Sequence, residues 1–154
     1  MKFIIIVFPL LFGVVSIAQN PLSKENGKII IDVYMDGYQS GDTLKMKSVM
    51  HPNISIQTAY LSKDQENVVL NLSPAELLKY AAITAKKQKW RINLKDYMVN
   101  SDGNVAHVWS PYYFYANDSF SHCGATSFTL VYTDDSWKII NIIDSRRIGS
   151  CNSE

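Results

Sequence analysis

The sequence predicts an α+β protein in which three helices pack on one face of a curved antiparallel sheet. Apolar residues recur at helical spacing in three segments of the first two thirds of the chain, residues 24–40, 43–50 and 74–88. The last third instead alternates residue by residue, as strands do. Its three strand segments are residues 105–116, 120–132 and 137–147. Turns rich in Asn and Asp join these segments, which is typical of β-hairpins.

Capping residues set the predicted ends of the helices. Ser23, Asp42 and Ser73 each precede a helical segment and can accept a hydrogen bond from its first turn. Gly41 follows the first helix and permits the left-handed conformation that ends many helices. Pro52 ends the second helix, because proline disfavours helical geometry in the residue before it.

Shorter segments complete the predicted element order. Residues 54–61 and 67–72 alternate as strands and are joined by a polar turn, so we expect a hairpin. Residues 90–99 form a further strand, and a turn at 100–103 leads into the last three strands. The order is therefore helix, helix, hairpin, helix and a four-stranded antiparallel sheet.

The two tight turns of the last third predict which side chains share a face of the sheet. If Ala116 pairs with Ser119 and Thr133 pairs with Ser136, alternation places the larger and more polar residues on one face. We expect a pocket on this face, because ligand sites combine apolar walls with a few polar groups. Its predicted residues are His107, Trp109, Tyr113, Tyr115, Phe120, His122, Thr126, Phe128, Leu130, Ile139, Asn141, Ile143 and Arg147.

The N-terminus has the pattern of a secretory signal peptide. Lys2 precedes an apolar run over residues 3–15, and Ser16-Ile17-Ala18 forms a small-x-small cleavage site. The run is too short to span a bilayer, which needs about 20 apolar residues. We predict a signal peptide over residues 1–18, a single domain over residues 19–154, and a product exported to the periplasm or the exterior without stable membrane insertion.

Charge and cysteine content exclude some functions and leave others open. Removal of Lys2 leaves 14 basic residues against 14 acidic ones, so nothing indicates a nucleic-acid partner. Export permits a disulfide between Cys123 and Cys151, the only cysteines, but their spacing does not decide whether it forms. No motif indicates a metal or a cofactor.

The order of elements and five stretches of sequence carry a resemblance to known proteins. The stretches are residues 50–53, 109–115, 120–124, 137–140 and 144–147. They are similar to the nuclear transport factor 2-like (NTF2-like) superfamily, which includes ketosteroid isomerases, scytalone dehydratase and SnoaL-type polyketide cyclases. The closer resemblance is to a bacterial family of exported proteins labelled lumazine-binding. The resemblance implies a cone with three helices on the concave face of the sheet.

Acid–base chemistry is predicted for one pair of residues. The register places Asp96 opposite or diagonal to His107 on the pocket face, where a carboxylate orients an imidazole for proton transfer. Asn141 lies in the same row and could hold a substrate oxygen. The alternative is a buried polar pair without a chemical role. The resemblance adds Tyr34, because tyrosines that project into the cone do chemistry in the isomerases and dehydratases.

Ligand binding is predicted for a second set of residues. His122 lies near Tyr113 and Arg147 in the expected register and could bind an anion or a carbonyl. Four rings could stack on a flat aromatic molecule: Trp109, Tyr113, Phe128 and Trp90. The alternative for these rings is ordinary core packing.

Three functions are compatible with the sequence. The first is an exported domain that binds a small aromatic molecule inside the cone. The second is an enzyme of the isomerase or dehydratase type that uses Asp96 and His107. The third is a homodimer formed through the outer sheet face, which we predict to carry Val108, Tyr112, Phe114, Val131, Ile140 and Ile142.

Overall fold

The computed structural model describes residues 21–147 and Cys151. The predicted signal peptide, residues 1–18, lies outside the described residues. The helices are α1 (Lys24–Ser40), α2 (Thr43–Val49) and α3 (Pro74–Thr84). The strands are β1 (Met50–Leu61), β2 (Asn67–Leu72), β3 (Trp90–Leu94), β4 (Met98–Asp102), β5 (Val105–Ala116), β6 (Ser119–Thr133) and β7 (Ser136–Arg147).

The predicted caps close the helix N-termini. The Ser23 side chain accepts from the Asn26 N–H, and the Asp42 carboxylate accepts from the backbone N–H groups of α2. Ser73 and Glu76 form a capping box at the start of α3. α3 ends at Thr84, four residues before the predicted end. These local signals therefore position the three helices that cover the sheet.

The sheet is mixed and not closed. Its strand order is β2-β1-β7-β6-β5-β3, and β4 pairs with a separate part of β5. The pairs are antiparallel apart from β1 and β7, which run parallel. The predicted strand 90–99 is two strands, because residues 95–97 leave the ladder between β3 and β4. The predicted antiparallel sheet is thus corrected at β1 and β7.

Two bulges displace the predicted register by one residue. Ala116 pairs with Ser119 as predicted, but the ladder shifts after the second pair and places Phe114 opposite His122. A second shift between Leu130 and Thr129 leaves Ile140 of β7 without a paired residue. The predicted pairs of His122 with Tyr113 and of Phe128 with Asn141 are therefore wrong, because each bulge adds one residue to one strand.

The shifted register changes which residues face the helices. The inner face of the sheet packs against α1, α2 and α3. Its core residues include Val108, Phe128 and Ile142, which cluster with Ile31 of α1. His107, Trp109, Tyr113 and Asn141 lie on the opposite, outer face, one position away from these residues. The prediction that the outer face carries Val108, Tyr112, Phe114 and Ile142 is wrong, for the same reason.

A disulfide joins the C-terminal tail to the sheet. Cys123 of β6 is bonded to Cys151, with 5.9 Å between their Cα atoms. Cys123 is opposite Arg147, the last residue of β7, so the disulfide holds Cys151 beside this end of the sheet. Within residues 21–147, none of the helices combines the length and apolarity needed to cross a membrane.

Candidate functional site

A cavity of about 860 Å³ lies between the helices and the inner face of the sheet. Tyr34 and Tyr38 of α1 and Tyr80 of α3 line it on the helical side. Lys63 and Gln65, in the turn between β1 and β2, are exposed and line its opening. This volume lies within the range of about 300–1,000 Å³ that is usual for small-molecule sites.

Side chains of the inner face form rows across neighbouring strands, because the registers of β5, β6, β7 and β1 align them. One row is apolar: Val108, Phe128, Ile142 and Ile56. The next row is polar: Ser110, Thr126, Asp144 and Thr58. The third row, toward the end of β7, is Tyr112, Gly124, Arg146 and Tyr60. The floor of the cavity therefore changes from apolar to charged along the strands.

Asp144 is the shared acceptor of a polar cluster, which we call the Asp144 cluster and define as Thr58, Tyr112, Asp144 and Arg146. The Thr58 hydroxyl donates to the Asp144 carboxylate at 2.6 Å, and the Tyr112 hydroxyl lies 3.2 Å from it. Arg146 Nε donates to the same carboxylate at 3.1 Å, and Arg146 Nη2 donates to Thr58 Oγ1 at 3.4 Å. These contacts fix the orientation of a guanidinium at the cavity.

Gly124 makes room for the Tyr112 ring. A Cβ atom at Gly124 would lie 2.8 Å from both Cε1 and the hydroxyl oxygen of Tyr112, and 1.8 Å from the Ser145 carbonyl oxygen. Tyr112 crosses this space, and its hydroxyl lies 3.1 Å from the same Ser145 oxygen. Glycine is therefore required at this position, because only a residue without a side chain lets Tyr112 and Ser145 come this close to the backbone. An isolated Gly within a strand often marks such a close approach.

His122 lies beside the Asp144 cluster as a neutral base. Its ring stacks on Phe114 with centroids 4.8 Å apart, and it meets the Tyr112 ring edge-on at 5.8 Å. The Nδ1 atom is 3.1 Å from Ser121 Oγ. Burial, together with the positive charge of Arg146, lowers the pKa of His122, although Asp144 acts in the opposite direction. The imidazole is therefore uncharged at neutral pH.

Two tyrosines of α1 supply hydroxyl groups to the cavity. The rings of Tyr34 and Tyr38 are stacked 6.3 Å apart, as their spacing of one helical turn allows. Burial is the main cause that raises the pKa of both hydroxyls, and Asp144 adds to it. Neither hydroxyl has a hydrogen-bond partner among residues 21–147 and 151. Both remain protonated and can donate to a bound molecule.

Trp90 forms the aromatic end of the cavity. Its ring lies 5.5 Å from Tyr38, 5.3 Å from Tyr80 and 5.6 Å from Phe114. The side chain is buried, and its Nε1–H has no acceptor within the described part of the chain. Because buried polar groups are nearly always paired, this indole N–H is a candidate donor to a ligand or to water.

The structure brings five of the predicted site residues to the cavity: Tyr34, Trp90, His122, Phe128 and Arg147. The other predicted ligand-binding residues, Trp109, Tyr113 and Asn141, lie on the outer face. There the Asn141 amide donates to the side chains of Ser55 and Gln57 at 2.8 and 2.9 Å.

Asp96 and His107 are not brought together as the predicted acid–base pair. His107 is opposite Asn100 in the ladder, while Asp96 lies in the segment between β3 and β4. The Nε2 atom of His107 is instead 2.7 Å from Ser127 Oγ on the outer face. The pair was predicted from one continuous strand over residues 90–99, whereas residues 95–97 leave the ladder and the β4–β5 register sets Asn100 opposite His107.

The Asp144 cluster was missed by sequence reasoning. Asp144 and Tyr112 were assigned to the outer face, because the predicted register ignored both bulges. The available signals were Gly124 within a strand, which favours a bulge or a close approach, and Tyr38 one turn after Tyr34. No group of three or more potential metal ligands occurs among the residues that the structure describes.

Comparison with known proteins identifies the family. The SnoaL-like domain family matches residues 28–147. No curated protein matches the chain. Among solved structures, an NTF2-like protein from Cytophaga hutchinsonii is 11% identical, with a TM-score of 0.64 over 81% of this chain and 98% of that one. A dehydratase candidate of the NTF2-like family from Streptomyces avermitilis is 15% identical, with a TM-score of 0.62 over 81% of this chain and 96% of that one.

A third solved structure, an NTF2-like superfamily protein from Salmonella enterica, is 16% identical, with a TM-score of 0.64 over 85% of this chain and 95% of that one. At these identities the TM-scores show a shared fold alone, in which helices cover a curved, unclosed sheet. The family match covers most of the chain and includes every strand and most of α1. The chain therefore belongs to the family of SnoaL-like domains and has the cone-like NTF2-like fold.

Proposed function

We propose that the protein binds a small, planar aromatic molecule in the cavity. The observation that carries this proposal is the aromatic end of the cavity, where Trp90 presents a buried N–H without an acceptor among the described residues. Tyr38, Tyr80 and Phe114 surround the same ring. A flat ligand can stack on these side chains while a ring heteroatom or carbonyl accepts from the indole.

The polar groups of the cavity fit this role. Most ligand sites pair apolar walls with a few fixed polar groups, and here the Asp144 cluster and the hydroxyls of Tyr34 and Tyr38 supply them. Lumazine-type heterocycles, which the closer family resemblance implies, belong to the same class of planar, acceptor-rich molecules. The proposal includes them without depending on them.

The experiment is a titration with 2-naphthamide, a neutral planar probe, followed by the indole N–H signals in a ¹H–¹⁵N NMR spectrum. The chain has three tryptophans, Trp90, Trp109 and Trp137, and a Trp90→Phe variant assigns the cavity signal. Trp109 lies on the outer face and serves as the internal control. We expect the Trp90 signal to move with saturation and the Trp109 signal to stay in place.

The proposal is contradicted if no indole signal moves with 2-naphthamide and none moves with its carboxylate analogue, 2-naphthoate, each at saturating concentrations. Movement confined to Trp109 also contradicts it, because that result places the probe on the outer face. A Trp109→Phe variant that retains the Trp90 response is the matched control for nonspecific effects of removing an indole.

Acid–base catalysis is a second candidate function, and the neutral imidazole of His122 favours it. His122 takes the role predicted for His107, and Asp144 the role predicted for Asp96, because these two side chains line the cavity. A general base must be unprotonated at the working pH, and the lowered pKa of His122 meets that requirement. The solved dehydratase candidate of the same fold gives this alternative a precedent in architecture only.

A test of the second candidate uses 5-nitrobenzisoxazole, a planar molecule whose ring opens when a base removes its C–H proton. We expect ring opening that falls at low pH, with its midpoint below the ordinary histidine pKa of 6.5. The His122→Asn variant should abolish it, while His107→Asn should not. Equal rates in the two variants would assign the reaction to solvent or to another group.

We also propose that the protein is exported, and the basis for this is the signal-peptide pattern of residues 1–18 alone. The expected mature N-terminus is Gln19. Fractionation of the producing cells, followed by N-terminal sequencing of the recovered protein, checks both points. Full-length protein retained in the cytosol would contradict the proposed export.

A further inference from the structure

Charged side chains around the cavity are mainly positive. The lining contains Lys63, Arg146 and Arg147 as cations and Asp144 as an acid. The formal charge of the whole chain is only +1, so the excess of cations at the cavity is local. Because these cations lie toward the end of β7 and in the turn between β1 and β2, they occupy the opening, where a field attracts anions.

Arg146 has hydrogen-bonding capacity that the protein does not use. Its Nε–H and one Nη2–H donate to Asp144 and Thr58. A guanidinium carries five N–H donors, and the others have no acceptor within residues 21–147. Its side chain is 45% exposed, so these groups are accessible from the cavity. Two fixed contacts therefore hold the planar group ready for a bidentate acceptor.

Hydrogen-bond donors also exceed acceptors in the rest of the site. The Trp90 indole can only donate, and the protonated hydroxyls of Tyr34 and Tyr38 are available as donors. The one carboxylate among the lining residues, Asp144, already accepts from Thr58, Tyr112 and Arg146. A ligand that is complementary to this site is rich in acceptors and carries negative charge.

The aromatic end and the guanidinium belong to one continuous surface. Trp90 contacts Phe114, Phe114 stacks on His122, and His122 meets Tyr112 of the Asp144 cluster. A molecule with a flat ring near Trp90 and Phe114 and an anionic group beyond His122 follows this path toward Arg146. The site is thus arranged for a ligand with two different ends.

We infer that the ligand is a planar aromatic carboxylate, whose ring stacks near Trp90 and Phe114 and whose carboxylate binds the free N–H groups of Arg146. This inference rests on the proposed function and adds the charge of the ligand and the residue that recognises it. Asp144 acts as the positioning residue for Arg146, because it holds the guanidinium without occupying its remaining donors.

The experiment compares 2-naphthoate with 2-naphthamide, two probes with one ring system and different charge, by isothermal titration calorimetry. We expect wild-type protein to bind the carboxylate about tenfold or more tightly than the amide, because charge-assisted bidentate contacts are stronger than neutral ones. Arg146→Gln should reduce this ratio to about one, and Arg146→Lys should retain part of it, since Lys keeps the charge without the fork.

Arg91→Gln is the matched control. Arg91 lies over the Tyr115 ring, at 4.0 Å from its centroid, and does not line the cavity. This variant removes the same charge from the chain and should leave the ratio of the two affinities unchanged. A further measurement needs no variant: raising the salt concentration should weaken binding of 2-naphthoate more than that of 2-naphthamide.

The possible outcomes test the inferred charge of the ligand and the proposed aromatic binding separately. Equal affinities for both probes in wild-type protein, or a preference that survives Arg146→Gln, would overturn the inference while leaving aromatic binding intact. Failure of both probes to bind would overturn the proposed function itself. If Arg146→Gln does not fold, the ratio in Arg146→Lys and the salt dependence in wild-type protein decide the question.

Discussion

Replacement of Asp144 by Asn is expected to destabilise the protein, because the Asp144 carboxylate is the shared acceptor of the cavity floor. It receives donors from Thr58 at 2.6 Å, Tyr112 at 3.2 Å and Arg146 at 3.1 Å. An amide of the same shape keeps one acceptor oxygen but turns an NH₂ group toward at least one of these donors. It also removes the negative charge beside Arg146.

The burial of the two charges sets the size of the effect. The Asp144 side chain is 20% exposed and that of Arg146 is 45% exposed. Removing one partner of a fully buried pair costs about 3–5 kcal/mol, whereas an exposed pair contributes about 0–1 kcal/mol. The intermediate burial of this pair gives about 2 kcal/mol, and the corresponding fall in Tm is about 8 °C for a domain of this size.

Urea unfolding followed by fluorescence measures this loss. The matched control is Asp36→Asn, since Asp36 pairs with Lys45 at the surface, where their side chains are 64% and 41% exposed. We expect the control to leave the unfolding midpoint nearly unchanged, because exposed pairs are screened by water and salt. Equal shifts in the two variants would refute the reasoning that the Asp144 cluster is a fixed, partly buried network.

Three further predictions follow from the site and the sheet. Gly124→Ala should cost about 1–3 kcal/mol by urea unfolding, because the added Cβ would lie 1.8 Å from the Ser145 carbonyl oxygen and 2.8 Å from Tyr112; an unchanged midpoint would contradict this. The pKa of His122 is lower in the folded protein than in the unfolded chain, so the unfolded chain takes up a proton at higher pH. The free energy of unfolding should therefore fall as pH drops below 6.5. This part of the pH dependence of stability should be absent in His122→Asn, and NMR titration of the His122 ring in the wild-type protein should give a pKa below 6.5. For the homodimer proposed from the sequence, Trp109 and Ile143 are exposed on the outer face, so Trp109→Ser should shift the solution mass from dimer to monomer; a monomeric wild-type protein would remove that proposal.

Local signals in the sequence were sufficient for the helices and the tight turns. Ser23 and Gly41 bound α1 at the predicted residues, because capping depends on neighbours within one helical turn. Asn117 and Asp118 have φ values of 50° and 65°, as the predicted hairpin turn requires. Short-range geometry of this kind is encoded by a few adjacent residues and can be read without knowledge of the rest of the fold.

The register of the sheet could not be predicted in the same way. A single extra residue in β6, near Ser121, turns Phe114 inward and Tyr113 outward, because side chains alternate with a period of two. His122 and Phe128 were placed correctly on the inner face, but with the wrong neighbours on β5 and β7. The position of a bulge depends on packing across the sheet, which the sequence of one strand does not specify.

The parallel pairing of β1 and β7 has a similar origin. Residues 62–135, about half of the chain, separate these strands, which pair side by side in the sheet that α1, α2 and α3 cover on one face. Thr58 of β1 reaches Asp144 of β7 only through this pairing. The polar floor of the cavity is therefore a tertiary feature, which explains why its central residue was not found from sequence spacing.

Native mass spectrometry of the protein, purified from the cells that produce it, tests the central claim most directly. We expect a noncovalent small-molecule adduct that is released on denaturation and identified as a planar aromatic acid. The same adduct should remain in a Trp109→Ser variant and be reduced in Arg146→Gln. Spectra that contain only the mass of the protein, under conditions that preserve noncovalent complexes, would contradict the claim that the cavity holds such a ligand.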